Sequence, residues 1–420
     1  MSTLFCRNGR SDSLVLEGRL AGGECVAVTV TDGVIAALAP AAATAHVLAP
    51  AFVDPHVHLR SPGREDEETI ASGTAAAAAG GYCAILAMPN TDPVVDSATV
   101  LGSLVETARR DAVIPTGFMA AISKRLDGEE LTEMGELADA GAAAFTDDGR
   151  PVTSAGLMRR ALQYGAVTGR TLALHCEEPT LSRDGQVHEG AVAAELGFAP
   201  YPSLAESAMV ERDLSLAAYE ARPLHLMHLS AKESVAALRH AHERGIEATA
   251  EVTPHHLVLT DEAVRSLDPN VKMNPPLRAE DDRQALIEAL RDGTIACVAT
   301  DHAPHSREEK ETPFEAAPFG VIGLETSFAA LYTHLVQTGL VPLETLLERM
   351  SGGPARALGL PEPKLEVGAR ANLVLLDLER EWTVTESGFR SRSANSWLLG
   401  RTLRGAVLKT VADGRLVHAA

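Results

Sequence analysis

The sequence predicts an α/β fold, a (β/α)8 TIM-like barrel with a small β-sandwich domain formed from both termini. Three observations carry that reading. Eight short apolar runs alternate with stretches of helical apolar spacing through the middle of the chain, the signature of repeated βαβ units. Ionisable residues collect just after those runs, where a barrel of this kind builds its site. Both ends of the chain show alternation and tight turns that favour β-structure instead. The chain is therefore expected to divide into residues 1–50, the N-terminal part of the sandwich; residues 51–360, the barrel; and residues 361–420, the C-terminal part of the sandwich.

In order, residues 13–16, 24–30 and 34–38 read as strands, the last two joined by a turn at Thr31-Asp32-Gly33. The eight barrel runs are residues 47–58, 82–88, 112–121, 141–146, 171–175, 223–228, 246–252 and 294–300. Helical spacing marks residues 68–79, 101–110, 154–164, 204–219, 231–244 and 281–292. Residues 372–378 and 405–411 return to strand character, the second leading into a turn at Asp413-Gly414. A doubly wound open sheet is the alternative. No GxGxxG follows a first strand and no phosphate-binding loop motif is present, which counts against it.

Composition narrows the function classes. With 420 residues, 45% of them apolar and 22% charged, the chain can bury a large core. A net charge of −20 repels a phosphate backbone, and 4% aromatics offer little stacking surface, so no nucleic-acid or anionic-membrane partner is expected. An anionic small substrate would need locally placed cations. The five cysteines are odd in number and scattered, so reduced thiols are expected. Residues 1–10 lack the apolar core of a secretory leader, and the least polar stretch, residues 73–88, is shorter than a membrane span. A cytoplasmic protein is expected.

The run ends carry the chemistry. The first ends in His56-Val57-His58-Leu59-Arg60, with two imidazoles on one face of an extended strand. With 15 histidines in the chain, such a pair arises by chance about once in two chains of this composition, so it is weak alone. Further run ends strengthen it: Met88-Pro89-Asn90, Thr146-Asp147-Asp148, His175-Cys176-Glu177, Met227-His228 and Thr300-Asp301-His302. Four histidines and two or three aspartates converging on one rim suit a pair of divalent cations, with zinc favoured by imidazole and carboxylate donors. A carboxylate after the fourth strand is placed to bridge the pair.

Each residue has a plainer reading. His56, His58, His175 and His228 would be satisfied polar residues on an unrelated strand, and Asp301 a helix cap before Ala303-Pro304. Asp147 and Asp148 are not separable by spacing. His255 and His256 are adjacent, diverge on an extended chain, and read as loop structure; His225 reads as packing. His240, His242, His334 and His418 read as solvated.

Five motifs occurring in one order carry a family resemblance. His56-Val57-His58-Leu59-Arg60-Ser61-Pro62-Gly63, Met88-Pro89-Asn90-Thr91, Asp147-Asp148-Gly149, Lys272-Met273-Asn274-Pro275-Pro276-Leu277-Arg278 and Asp301-His302-Ala303-Pro304-His305 resemble the dihydroorotases. The resemblance is to the class I bacterial branch of the amidohydrolase superfamily and runs over essentially the whole chain. It implies reversible, zinc-dependent cyclisation of N-carbamoyl-L-aspartate to L-dihydroorotate in pyrimidine (UMP) biosynthesis, with two zinc ions per subunit and a metal-activated hydroxide. Residue by residue, it makes His56 and His58 ligands of one ion, His175 and His228 ligands of the other, and Asp148 the bridge. Asp301 resembles the ligand that is also general acid/base. Arg60, Asn90 and His305 resemble the grip on the substrate carboxylate; Asn274, Phe319 and Gly320 resemble further substrate contacts. A homodimer and a complex with aspartate transcarbamoylase are further expectations.

Two features depart from relatives. Many superfamily members bridge their metals with a carboxylated lysine after the fourth strand; residues 141–149 contain no lysine, so either an aspartate bridges, as in the class I branch, or the second metal is weak. Ser61 stands where the family usually has Glu. The competing readings are a hydantoinase- or allantoinase-type cyclic-amide hydrolase and a non-catalytic partner of aspartate transcarbamoylase. Arg60 beside the histidine pair favours a ring bearing a carboxylate, and retention of all four histidines favours catalysis. The sequence leaves open which loop closes over a substrate; residues 306–317, polar and mobile in character, are a candidate.

Overall fold

A computed structural model describes residues 3–7, 9 and 13–420. The leader reading of residues 1–10 rests partly on residues 1, 2, 8 and 10, outside the described residues.

The chain opens with β1 (Leu14–Arg19), β2 (Cys25–Thr31), β3 (Val34–Pro40) and β4 (Val47–Pro50). The barrel begins with β5 (Phe52–Val57), β6 (Tyr82–Ala87), β7 (Thr116–Ala120), β8 (Ala144–Phe145) and β9 (Ala173–Leu174). A short parallel pair, β10 (Val187–His188) and β11 (Pro200–Tyr201), interrupts it. The barrel resumes with β12 (Leu224–Leu226), β13 (Ala248–Val252) and β14 (Cys297–Val298), and the chain ends in β15 (Leu373–Thr383), β16 (Thr402–Ala412) and β17 (Arg415–Ala419).

All eight expected runs contain a barrel strand. Parallel pairing gives two four-stranded sheets, β5-β6-β7-β8 and β9-β12-β13-β14. The bridges Phe145↔Leu172 and Val57↔His302 close them into one cylinder. The run at residues 47–58 is one correction. It is two strands, because β4 pairs with β15 in the terminal sheet while β5 pairs with β6, and the chain changes sheets at Ala51. Continuous apolar character hides that change because both strands are buried.

The terminal strands form one seven-stranded sheet in the order β17-β16-β15-β4-β1-β2-β3. Leu16 and Val28 from one half and Leu373 and Val411 from the other share a single buried cluster. The six expected helices are present as Ile70–Ala79, Ala98–Asp111, Ala155–Thr168, Leu204–Glu220, Lys232–Glu243 and Glu280–Asp292. A seventh, Met134–Ala140, is too short for its spacing to stand out. Ser97 and Ser154 accept from backbone N–H groups in the first turns of their helices, fixing where each begins. Small residues suit the close packing of Ile70–Ala79: a Cβ at Gly73 would lie 2.4 Å from Leu59 Cδ2, and the leucine would have to shift to admit it. Among the described residues no helix is long and apolar enough to cross a membrane.

Glu325 fastens the barrel to the returning C-terminal segment by accepting hydrogen bonds from Arg390 N at 2.8 Å and Ser391 N at 3.1 Å. Burial pushes its carboxyl up to about 7, against those two donors. A raised folded-state value means the group contributes stability at low pH that is lost as pH rises through about 7. Glu325→Gln removes that loss. Urea unfolding at pH 6 and pH 9 should show the variant gaining roughly 1–3 kcal/mol on the parent at the higher pH. A pH-independent difference would refute the assignment.

Candidate active site

The strand ends bring His56, His58, Asp148, His175, His228 and Asp301 into one buried cluster at the C-terminal mouth of the barrel. His58 Nε2 lies 3.0 Å from Asp301 Oδ1, and His56 Nε2 lies 3.4 Å from the same oxygen. His175 Nδ1 and His228 Nε2 are 2.9 Å apart. Asp148 stands between the two histidine pairs. Its Oδ1 is 3.7 Å from His56 Nε2, 3.6 Å from His175 Nδ1 and 3.7 Å from His228 Nε2, while Oδ2 is 3.5 Å from His58 Nε2.

This placement separates the two aspartates that spacing could not. Asp147 points the other way and accepts from Ile122 N and Ser123 N, a structural role. Strain accompanies the cluster: Arg60, His228 and Asp301 have φ of 55°, 33° and 46°, left-handed conformations unusual for non-glycine residues.

The donor chemistry fits a divalent metal. Four imidazoles and two carboxylates face one another with their lone pairs, and His56 Nε2 is buried with no hydrogen-bond partner among the described residues. Two triads, His56/His58/Asp301 and His56/Asp148/His228, hold their ligand atoms within 4.8 Å of one another. Burial would raise the Asp148 carboxyl, but His56, His175 and His228 hold it well below the usual carboxylate range. Burial is likewise overcome at Asp301 by His56 and His58, which hold its carboxyl low. Both are anions at neutral pH.

Around this cluster lies a second layer, of which the sequence reading named Asn90 but missed Glu251 and Glu177. Glu251 accepts from His56 Nδ1 at 2.8 Å, Asn90 Oδ1 from His58 Nδ1 at 3.0 Å, and Glu177 Oε2 from His175 Nε2 at 2.9 Å. Each contact directs the histidine's other nitrogen toward the cluster. A lone carboxylate inside the apolar strand β13 was the available signal for Glu251; for Glu177 it was the two-residue spacing from His175. His225, read as packing, donates from Nε2 to Glu251 Oε2 at 3.0 Å and so braces that carboxylate. Asp54 accepts from His56 N and Thr300 N, both at 3.1 Å, joining β5 to the loop after β14.

His255 and His256 lie in a short helix, Pro254–Val258, rather than in the irregular loop expected. Thr253 caps that helix, and His256 is locked between Thr253 Oγ1 and Pro275 O.

The expected substrate residues frame the cluster. Arg60 Nε donates to Pro304 O at 2.9 Å and lies 3.2 Å from Glu67 Oε2, while Nη2 is 3.3 Å from His305 Nε2. Glu67 thus supplies a carboxylate beside Arg60 in the loop that carries Ser61. His305 Nε2 donates to Phe319 O at 2.8 Å. Gly320 has φ 122°, and a Cβ there would come within 2.7 Å of Ala303 Cβ, so the residue must be glycine for this wall to close. Asn90 Nδ2 donates to Asp148 Oδ2 at 3.1 Å, so both ends of its amide are engaged inside the cluster. Asn274 lies on the opposite flank and donates to Glu177 Oε2 at 3.0 Å.

The polar segment 306–317 is anchored rather than loose. Lys310 Nζ donates to Pro269 O and Pro318 O, both at 2.9 Å, and Phe314 is buried.

An eight-stranded barrel with this mouth and a sheet built from both termini is the architecture of the amidohydrolases. A solved L-hydantoinase (dihydropyrimidinase) from Arthrobacter aurescens aligns with TM-score 0.86 at 26% identity, over 96% of this chain and 94% of that one. A solved D-hydantoinase shares the fold, with TM-score 0.80 at 22% identity, over 99% of this chain and 95% of that one. The family described as Dihydro-orotase-like matches residues 45–234. A dihydroorotase from Caldanaerobacter subterraneus subsp. tengcongensis is 44% identical over 367 residues, 87% of this chain and 85% of that protein. One from Listeria innocua is 46% identical over 376 residues, 90% of this chain and 88% of that protein. The chain belongs to the dihydroorotase family.

Proposed function

We propose that the protein is a metal-dependent dihydroorotase that interconverts N-carbamoyl-L-aspartate and L-dihydroorotate with exchange of one water. The observation that carries this reading is the pairing of Arg60 with Pro304 O and His305, on the segments that follow His58 and Asp301, at one edge of a six-donor His/Asp cluster. A cation at that edge matches a cyclic amide bearing a carboxylate, and it offsets the charge of a net-negative protein. The uncharged rings of hydantoinase-type substrates bring no carboxylate for Arg60 to hold. Asn274, Phe319 and Gly320 complete the walls of the substrate site, with Asn90 contributing from within the cluster.

His56 and His58 would hold one zinc ion and His175 and His228 a second, with Asp148 between them and Asp301 on the first. When bound, the metals polarise the amide carbonyl and lower the pKa of water toward about 7. The remaining work belongs to the chain. Asp301 offers Oδ1 to His58 and His56, while its Oδ2 carries no hydrogen bond among the described residues and is free to move a proton. In ring opening Asp301 takes the proton of the attacking water and delivers it to the departing ring nitrogen. In cyclisation it removes the proton from the ureido nitrogen that attacks. Arg60 holds the carboxylate away from the metals, so the ring presents its amide to them.

Residues 51–360 serve as the catalytic barrel, braced by a domain of residues 1–50 and 361–420. We further propose a cytoplasmic homodimer that binds neither nucleic acid nor membrane and is able to associate with aspartate transcarbamoylase. The test is turnover of dihydroorotate by zinc-supplemented protein, with hydantoin, dihydrouracil and allantoin alongside. Opening of dihydroorotate alone is expected. Turnover of an uncharged ring would overturn the substrate, and silence on all four would favour the non-catalytic partner.

A further inference from the structure

We infer that Glu177 is a positioning residue whose one carboxylate orients both the metal-facing histidine His175 and the substrate-facing amide of Asn274. The inference rests on the roles proposed above for those two residues. Glu177 Oε2 accepts from His175 Nε2 at 2.9 Å and from Asn274 Nδ2 at 3.0 Å, and Ser182 Oγ donates to Oε1 at 2.5 Å.

Each contact leaves a defined atom free. Taking the Nε2 proton of His175 leaves Nδ1 as the lone pair, which is the nitrogen that faces His228 and Asp148. Taking Nδ2 of Asn274 fixes the amide rotation, and Oδ1 is then buried with no partner among the described residues. A buried carbonyl oxygen without a donor is destabilised until one arrives. Dihydroorotate and carbamoyl aspartate both bring N–H groups. Asn274 Oδ1 is thus an acceptor held ready by Glu177 for a substrate N–H.

Glu251 supplies the contrast. It orients His56 through Oε1, but its other oxygen is held by His225 in the barrel interior, and it touches none of the substrate residues named above. The two second-layer glutamates therefore separate in function. Glu251 serves metal binding alone, whereas Glu177 serves both metal and substrate.

The test compares Glu177→Gln, Glu251→Gln, Asn274→Ala and the Glu177→Gln/Asn274→Ala double variant. Zinc retained against a chelator gives metal affinity, and KM and kcat for dihydroorotate are measured after reloading in excess zinc. Both glutamine variants should lose metal affinity by about 10–100-fold. Reloaded Glu177→Gln should also show a KM raised about 10-fold with a smaller change in kcat, while reloaded Glu251→Gln keeps the parent KM. Asn274→Ala should raise KM and leave zinc retention unchanged. The double variant should show no larger KM than the worse single variant, because one residue acts through the other.

Ser182→Ala loosens Glu177 without altering it, and keeps the test open if Glu177→Gln does not fold; both readouts should move the same way by about 2–5-fold. Parent-like KM in reloaded Glu177→Gln, or additive KM effects in the double variant, would overturn the inference. Failure of the dihydroorotase reading would show in the unsubstituted protein, before any variant is made.

Discussion

Asp301→Asn should lower dihydroorotate turnover by about 10²–10⁴-fold while leaving most of the bound zinc in place. The asparagine keeps an oxygen where Oδ1 now lies 3.0 Å from His58 Nε2, and the five other donors of the cluster are unchanged. What disappears is a carboxylate able to carry a proton. Its position gives the effect its size: Asp301 is buried, and His56 and His58 hold it ionised despite that burial, so it begins ring opening as a base. Elemental analysis and turnover on the same preparation check both halves. Full activity would sink the acid/base assignment, and loss of metal in proportion to activity would reduce Asp301 to a ligand.

Arg60→Met should weaken binding of dihydroorotate by about 10–150-fold, the value of a hydrogen bond to a charged group. Zinc content should not change, since Arg60 is outside the donor set. The fold should survive as well, because Glu67 keeps its contact with Arg64 Nη2 at 2.8 Å when Arg60 is lost. Methionine retains much of the aliphatic stem, so the change isolates the guanidinium. The parent and the variant should be compared on dihydroorotate and dihydrouracil. A selective loss on the carboxylated ring supports the grip assigned to Arg60, and equal loss on both rings would refute it.

Much of this site is legible without coordinates because its parts are local. His56 and His58 sit two apart on one strand, and period-two geometry alone puts them on one face. His175, His228 and Asp301 each close an apolar run, and a barrel sends every run end to the same mouth. The terminal sheet is legible for a similar reason, since alternation and Asp-Gly turns are encoded over a few residues.

Other features depend on contacts between distant segments. Asp147 and Asp148 are chemically identical neighbours, and only the packing of Ile122 and Ser123 against one leaves the other for the centre. Asn90 is named by its place at a strand end, but its amide contacts to His58 and Asp148 come only from packing.

By itself the sequence pointed to the barrel, to four histidines and Asp301 at its strand ends, and to the need for a cation at Arg60. These follow from hydrophobic periodicity and from residue types at strand ends, which short stretches of chain specify on their own. The tertiary structure decided which of two aspartates faces the centre, where the apolar run at residues 47–58 changes sheets, and which glutamates stand behind the histidines. Those outcomes depend on closure of the sheet. Closure brings Glu251 to His56 and Asn274 to Glu177 across 195 and 97 residues of chain, and a hydrogen bond at that separation leaves no periodic trace in either segment.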